Sequence, residues 1–191
     1  MTTGSPVISA DSHIQEPPEL YEERLPKKYR HRTPRTMTDS DGAVYRVIDG
    51  KRPRRIDIAE SRLNEDDQNR EFRGDPSGGR DIRKRLSDQD RDGICAEVIY
   101  PNQSLFLYNS PDSGYQLALA TAYNTWLWEL LAVDKDRFVP VAIVPVANLD
   151  GAATEAHRVA KLGYRALKIP ITIDRKSTRL NSSHALISYA V

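Results

Sequence analysis

Cysteine is almost missing. Cys95 is the single one in 191 residues, so no intramolecular disulfide can form. It sits in Gly93-Ile94-Cys95-Ala96-Glu97-Val98, at the edge of an apolar run, where a small buried core residue is expected rather than a catalytic thiol. No stretch of about eighteen apolar residues occurs, so no transmembrane helix is expected. The N-terminus lacks the basic-then-apolar pattern of a secretory leader, which makes a reduced, cytoplasmic setting the expectation. Excess charge of one sign is missing too. Lys and Arg total 28, Asp and Glu 27, and the net charge is +1. Such a balance offers no field that favours nucleic acid or an anionic membrane. Neither a Gly-x-Gly-x-x-Gly after the first strand nor a Walker loop is present, which weighs against nucleotide binding. Histidine is scarce, with four in the chain.

What is there reads as alternating strands and helices. Val7-Ile8-Ser9-Ala10 is a strand running into Asp11-Ser12-His13. Glu16-Pro17-Pro18 ends it, because proline removes a ladder donor and restricts its predecessor. Glu19 to Arg24 fits a short helix. From about Arg30 to Arg80 the chain is rich in arginine and aspartate and poor in apolar periodicity, as in an excursion from the main fold. Within it, Ala43 to Ile48 and Arg54 to Ile58 flank Asp49-Gly50, a hairpin signal. A regular rhythm follows. Asp81 to Asp92 is helical and stops at Gly93. Ala96 to Tyr100 is a strand closed by Pro101. Tyr115 to Val133 is a long helix, with Leu117, Ala120, Tyr123, Asn124, Leu127 and Leu131 near one face. Val139 to Val144 is a strand. Asp150 caps a helix from about Gly151 to Leu162, which ends at Gly163. Arg165 to Ile169 is a fourth strand, closed by Pro170. This is the pattern of parallel βαβ units with right-handed connections. Two architectures fit, a (β/α)8 barrel or an open doubly wound sheet.

Asp11 and His13 stand two apart on a strand, so their side chains share a face. They lie at its C-terminal end, where barrel enzymes build their sites. A carboxylate oxygen beside an imidazole nitrogen is half of a divalent metal site. A metal there lowers the pKa of a coordinated water and polarises a substrate oxygen. The bland alternative is a polar strand end with a capping aspartate and a part-exposed histidine.

Longer motifs make the pattern more specific. Ile8-Ser9-Ala10-Asp11-Ser12-His13-Ile14-Gln15-Glu16-Pro17-Pro18, then Leu25-Pro26-Lys27-Lys28-Tyr29-Arg30, resembles the opening of the amidohydrolase-related family (amidohydrolase family 2). This is the branch that also holds aminocarboxymuconate-semialdehyde decarboxylase. Asp92 to Pro101 resembles its second strand, and Arg137-Phe138-Val139-Pro140 the lead into the third. The resemblance runs from about Val7 to Pro170. It implies a (β/α)8 TIM-type barrel with one divalent metal, usually zinc, of which Asp11 and His13 would be ligands. Aspartate in the first ligand position makes the site harder, so manganese stays open. The implied chemistry is hydrolysis of C–N or C–O bonds in a small-molecule substrate, or non-oxidative loss of a carboxylate, which is a lyase reaction.

Further ligands in that family come from later strands. Here His31 lies in a basic run and His157 in mid-helix, both expected at the surface. His184 alone follows the fourth strand, too soon after Pro170 for a helix and another strand. Arg175 to Val191 resembles translated cloning-adapter or vector sequence. Residues 1–174 are therefore read as the front half of a barrel, about four β/α units with a charged insertion after the first strand. Residues 175–191 are read as a non-native tail. Barrels of this class typically need about 250 residues. An unclosed half leaves sheet edges that invite aggregation or homo-oligomer formation.

Other residues have two readings each. Lys168 alternates with Leu167 and Ile169, so it either points into the barrel as a substrate contact, where the resemblance to amidohydrolases implies a carboxylated metal bridge as a further role, or reaches a solvated rim. Tyr100 and Asn102 follow the second strand, as substrate contacts or as a packing tyrosine and a turn asparagine. Glu16 orients a metal ligand or starts the loop. Two rival functions remain. A metallophosphoesterase also opens with Asp-x-His, but its later Gly-Asn-His is missing. A non-catalytic binding module would use the charged segment from Arg52 to Arg70.

Overall fold

The computed structural model describes residues 5–17, 19–49, 51–55, 76–170 and 186–190. Four parallel strands form a curled sheet, half of a TIM-type barrel: β1 (Val7–Ile14), β5 (Ile94–Pro101), β6 (Phe138–Ile143) and β7 (Ala166–Pro170), in that spatial order. A fifth strand, β8 (Leu186–Ala190), runs antiparallel along β7. It falls in the segment read as a tail, and His184 lies outside the described residues. An antiparallel partner needs no helical crossover, so it fits in the short chain length after Pro170. The opposite edge, β1, has no second neighbour among the described residues, and Val7 and Ile8 there are exposed.

Helices cover the outer face of this sheet. They are α1 (Leu20–Arg24), α2 (Ile82–Asp92), α3 (Ser113–Leu130) and α4 (Leu149–Leu162). Asp81 caps α2 by accepting from the amides of Arg83 and Lys84. Gly93 ends it in the left-handed conformation that only glycine adopts without strain. The cap of α4 corrects the sequence reading. Asn148, not Asp150, accepts from the amides of Asp150 and Gly151, and Asp150 stands in the first turn. Either acid or amide can cap, so spacing alone chose the wrong one. At the far end Gly163 has φ +112, and a β-carbon there would lie 2.7 Å from the Trp128 ring.

The core lies between sheet and helices: Ile14, Leu20, Leu25, Ile99, Leu107, Leu119, Tyr123, Leu127 and Val159. The face of α3 also needs correcting. Leu119 is fully buried, whereas Leu117 is only half-buried. α3 packs on α1, α4 and β6 at once, so its buried surface is wider than one amphipathic stripe. Cys95 is a third correction, since it is exposed. It lies near the start of β5, where its thiol donates to the Val7 carbonyl of the edge strand at 2.9 Å. The exposure of neighbouring Val7 and Ile8 shows that no described layer packs over that corner.

The charged excursion forms a small antiparallel sheet, β2 (Arg35–Thr38), β3 (Val44–Val47) and β4 (Arg54–Arg55). The hairpin expected on either side of Asp49 is present, with β3 and β4 paired antiparallel through Tyr45–Arg55 and Arg46–Arg54. A second, tighter turn joins β2 to β3. There the Asp39 carboxylate accepts from the amides of Asp41 and Ala43, and Gly42 takes φ +80. That Asx-type turn is local and sequence-encoded. Of the charged segment from Arg52 to Arg70, the part from Ile56 onward lies outside the described residues.

Arg32 fastens this sheet to the barrel. Its guanidinium is stacked 4.0 Å from the Tyr115 ring centroid and bridges Asp49 and Asp112, the α3 cap. Arg32 holds both carboxyls below the usual carboxylate range. A depressed folded pKa contributes stability at pH values above the unfolded one, about 3.9. That contribution disappears as pH falls through the lower folded value. Arg32→Ala is expected to cost about 2 kcal/mol at pH 7, a figure discounted for the partial exposure of Asp112. The variant should also lose stability less steeply than wild type below about pH 4. Urea midpoints at pH 7 and 3 check both. Parallel acid profiles would show that the bridge contributes nothing.

Candidate active site at the C-terminal mouth

The C-terminal ends of the parallel strands converge on four of the candidate side chains. A β-bulge opens the site on β1. Ser9 aligns with Glu97 while Ser12 aligns with Ile99, so Ala10 and Asp11 together oppose Val98. The bulge brings Ser9 and Ser12 hydroxyls within 2.8 Å, a contact that a regular strand forbids at that spacing. It leaves Asp11 and His13 together on the inner face, with Asp11 Oδ1 3.6 Å from His13 Nε2. Ser12 and Ile14 are buried on the opposite face.

The orientation of His13 is fixed from behind. Its Nδ1 lies 3.1 Å from the Pro101 carbonyl oxygen, which can only accept, so Nδ1 carries the proton. In that tautomer Nε2 presents its lone pair on the side of the Asp11 carboxylate. Two acceptors facing each other at 3.6 Å suit a cation between them. Two ligand bonds of about 2.1 Å at an open angle span about that distance. A backbone carbonyl on the other ring nitrogen is the usual device for setting a ligating tautomer. Among the described residues no group of three or more His, Cys, Asp or Glu gathers into a metal cage.

Arg85, on α2, supports this strand end. It donates to the His13 carbonyl at 2.9 Å while pairing with Glu97 at 2.5 Å, both side chains being largely buried. Sequence reading missed Arg85, because its partner lies 72 positions away and no local motif marks it.

Tyr100 is the register partner of His13, and their ring centroids are 6.0 Å apart. Lys168 faces inward. Its residue is 6% exposed, and its Nζ lies 5.5 Å from the Tyr100 ring centroid, across the concave face. Burial pulls the Lys168 ammonium below its ordinary pKa, and the Asp11 charge pulls it partly back. Asp11 is thus near enough to act on it. The 3-10 turn Ser104–Asn109 helps to hold this strand, since the Tyr108 hydroxyl donates to the Lys168 carbonyl at 3.2 Å.

Glu16 and Asn102 lie apart from that group. The Glu16 carboxylate is buried and accepts from the amides of Asn102, Gln103 and Ser104 at 2.9–3.2 Å. It therefore anchors the loop after β5, a role that neither sequence reading named. Arg46 of β3 lies close enough for Glu16 to offset part of its burial. The Asn102 side chain is exposed. His31 and His157 are at the surface, as expected. A groove of about 460 Å3 lies elsewhere, on the outer helical layer, lined by Arg24, Tyr29, Leu117 and Thr121 and touching none of the mouth residues.

No family model matches the chain, and no curated protein matches it. Solved structures do. An amidohydrolase, map2389c, from Mycobacterium avium subsp. paratuberculosis K-10 aligns at 20% identity and a TM-score of 0.62, over 86% of this chain and 49% of that one. A 2,6-dihydroxybenzoate decarboxylase from Rhizobium aligns at 20% identity and a TM-score of 0.46, over 85% and 37%. A dihydroxybenzoic acid decarboxylase from Polaromonas sp. JS666, with manganese and 2-nitroresorcinol bound, aligns at 21% and 0.46, over 85% and 37%. The chain spans about half the length of the amidohydrolase. No helix among the described residues is long and apolar enough to cross a membrane. The fold of this chain is therefore similar to that of the amidohydrolase over about half of that chain's length.

Proposed function

We propose that this chain carries part of the site of a metal-dependent hydrolase or non-oxidative decarboxylase acting on a small organic molecule. Asp11 and His13 are two ligands of a divalent cation, zinc or manganese. The observation that carries this reading is the facing pair itself, Asp11 Oδ1 and His13 Nε2 at 3.6 Å, with Nδ1 tied to Pro101. Such an ion supplies Lewis acidity toward a substrate oxygen. The chain's own residues do the positioning. Pro101 sets the tautomer of His13, Arg85 steadies its carbonyl, and the inward faces of Tyr100 and Lys168 bound the space beside it.

The family resemblance places the remaining ligands on later strands, so residues 1–174 hold only part of the catalytic set. Turnover by the 191-residue chain alone is not expected. Residues 175–191 are read as foreign to that barrel. The open edge of β1 belongs to the same reading, as the surface through which copies of the chain would associate.

Titration with Mn2+, followed by electron paramagnetic resonance, is the direct test. The chain should bind one ion saturably. Asp11→Ala and His13→Ala should each weaken binding by at least about tenfold, because either leaves a single ligand. Zn2+ competition ranks the two metals. Equal Mn2+ binding by wild type and both variants, or no saturable binding, would refute the assignment.

A further inference from the structure

We propose that the groove between α1 and α3 is where a second copy of this chain docks, with the acidic end of α1 in one copy facing the Lys27–Lys28 pair of the other.

The groove is held open by specific contacts. Its floor is the outer side of α3, with Leu117, Ala118 and Ala122, and Tyr29 forms a wall. That wall lies directly on the helix, since a β-carbon at Gly114 would come 2.5 Å from the Tyr29 hydroxyl. Tyr29 also packs on Tyr115, with ring centroids 5.4 Å apart, and the Tyr115 hydroxyl donates to the Arg32 carbonyl at 2.6 Å. The result is a concavity of about 460 Å3 whose apolar floor meets water. Covering such a floor is favourable, and a preformed shape lowers the cost of ordering it.

Charge then selects the occupant. Along this wall the sequence runs Glu22-Glu23-Arg24-Leu25-Pro26-Lys27-Lys28. Arg24 is already paired with Glu129 at 2.7 Å. Glu22, Glu23, Lys27 and Lys28 are exposed. None of these four has an ion-pair partner among the described residues, and Lys28 Nζ is held over the Tyr29 ring, 4.7 Å from its centroid. Two uncompensated acids thus stand on one side of Pro26 and two uncompensated bases on the other. A two-fold axis near Pro26 sets each block against the opposite block of the other copy, as an isologous interface requires. A wholly acidic or wholly basic partner would match one block and be repelled by its neighbour. Exposed ion pairs contribute little each. Burial of the groove therefore supplies the attraction, and the charges fix the orientation. No residue of β1 lines the groove, so this surface is distinct from the open sheet edge.

Sedimentation equilibrium of the full chain is the test. Wild type should form a reversible dimer that weakens as salt is raised. Glu22→Lys with Glu23→Lys makes both blocks basic, and Lys27→Glu with Lys28→Glu makes both acidic. Each double variant alone should dimerise at least about tenfold more weakly than wild type. An equimolar mixture of the two should recover wild-type affinity, because every contact in the mixed dimer again sets acid against base. Ala118→Trp, which fills the groove, should weaken the dimer likewise. Ile8→Lys, which charges the open β1 edge, should leave it unchanged. Circular dichroism confirms that each variant is folded. A wild type that stays monomeric, double variants that associate like wild type, or a mixture that does not recover would each overturn the proposal. So would full dimerisation of a folded Ala118→Trp chain. Loss of the dimer in Ile8→Lys would assign association to the β1 edge and overturn it as well.

Discussion

Asn124→Ala should lower the melting temperature by roughly 8–16 °C, from a loss of about 4 kcal/mol. Asn124 is fully buried on α3 and joins three elements. Its Nδ2 donates to the Ile143 carbonyl at 2.8 Å and to Glu155 at 2.7 Å, and its Oδ1 accepts from the Ile143 amide at 2.9 Å. Glu155, 1% exposed on α4, also takes bonds from Thr121 and Arg158. Truncation leaves a backbone donor and a backbone acceptor in the interior without partners, and each such loss costs about 1–3 kcal/mol. It also opens a small cavity. Asn124→Asp should fare no better, because it places a second carboxylate against Glu155 and removes the donor. A thermal shift under about 3 °C for Asn124→Ala would mean that the network does not hold α3, α4 and β6 together.

Glu16→Ala should have its effect locally, at the mouth. The carboxylate takes three successive amides at the start of the turn after β5, so its loss removes their shared acceptor, and the buried Ser104 amide loses most. It also leaves Arg46 without its nearest compensating charge. The expected cost is about 3 kcal/mol, and it should appear as faster hydrogen exchange at Gln103 and Ser104, by roughly 100-fold. Glu16→Gln keeps one acceptor oxygen and should lose about half as much. The consequence for the site is indirect. The same turn carries Tyr108, which holds the Lys168 carbonyl, so loosening the turn should broaden the Lys168 resonance. Exchange rates at Gln103 and Ser104 unchanged from wild type would show that Glu16 is not the anchor.

The elements that local chemistry specifies were legible before any coordinates. Alternation of short β-branched runs with helical stretches gave the four parallel strands and the helices between them. Gly93 and Gly163 marked helix ends, because a positive φ at a helix terminus is a local demand that glycine meets alone. The spacing of Asp11 and His13 placed both on one face, because alternation along a strand is a property of the backbone. The same alternation allowed an inward Lys168 as one of two readings.

Where the reading failed, a long-range partner decided the outcome. Cys95 is exposed because of where β5 meets an edge strand, and no property of its neighbours in sequence encodes that. Leu119 rather than Leu117 is buried because α3 is covered from several sides at once.

By itself, then, the sequence determined the order of strands and helices, their ends, and which side chains share a face, since these depend on a few neighbouring residues and on backbone periodicity. Only the tertiary structure decided what each of those side chains meets. The Pro101 carbonyl behind His13, the Arg85 guanidinium under its strand end, the amides around Glu16 and the ring beside Lys168 are contacts between residues about 70 to 90 positions apart. Curling of the sheet brings them within bonding distance, and no local rule fixes how a sheet curls.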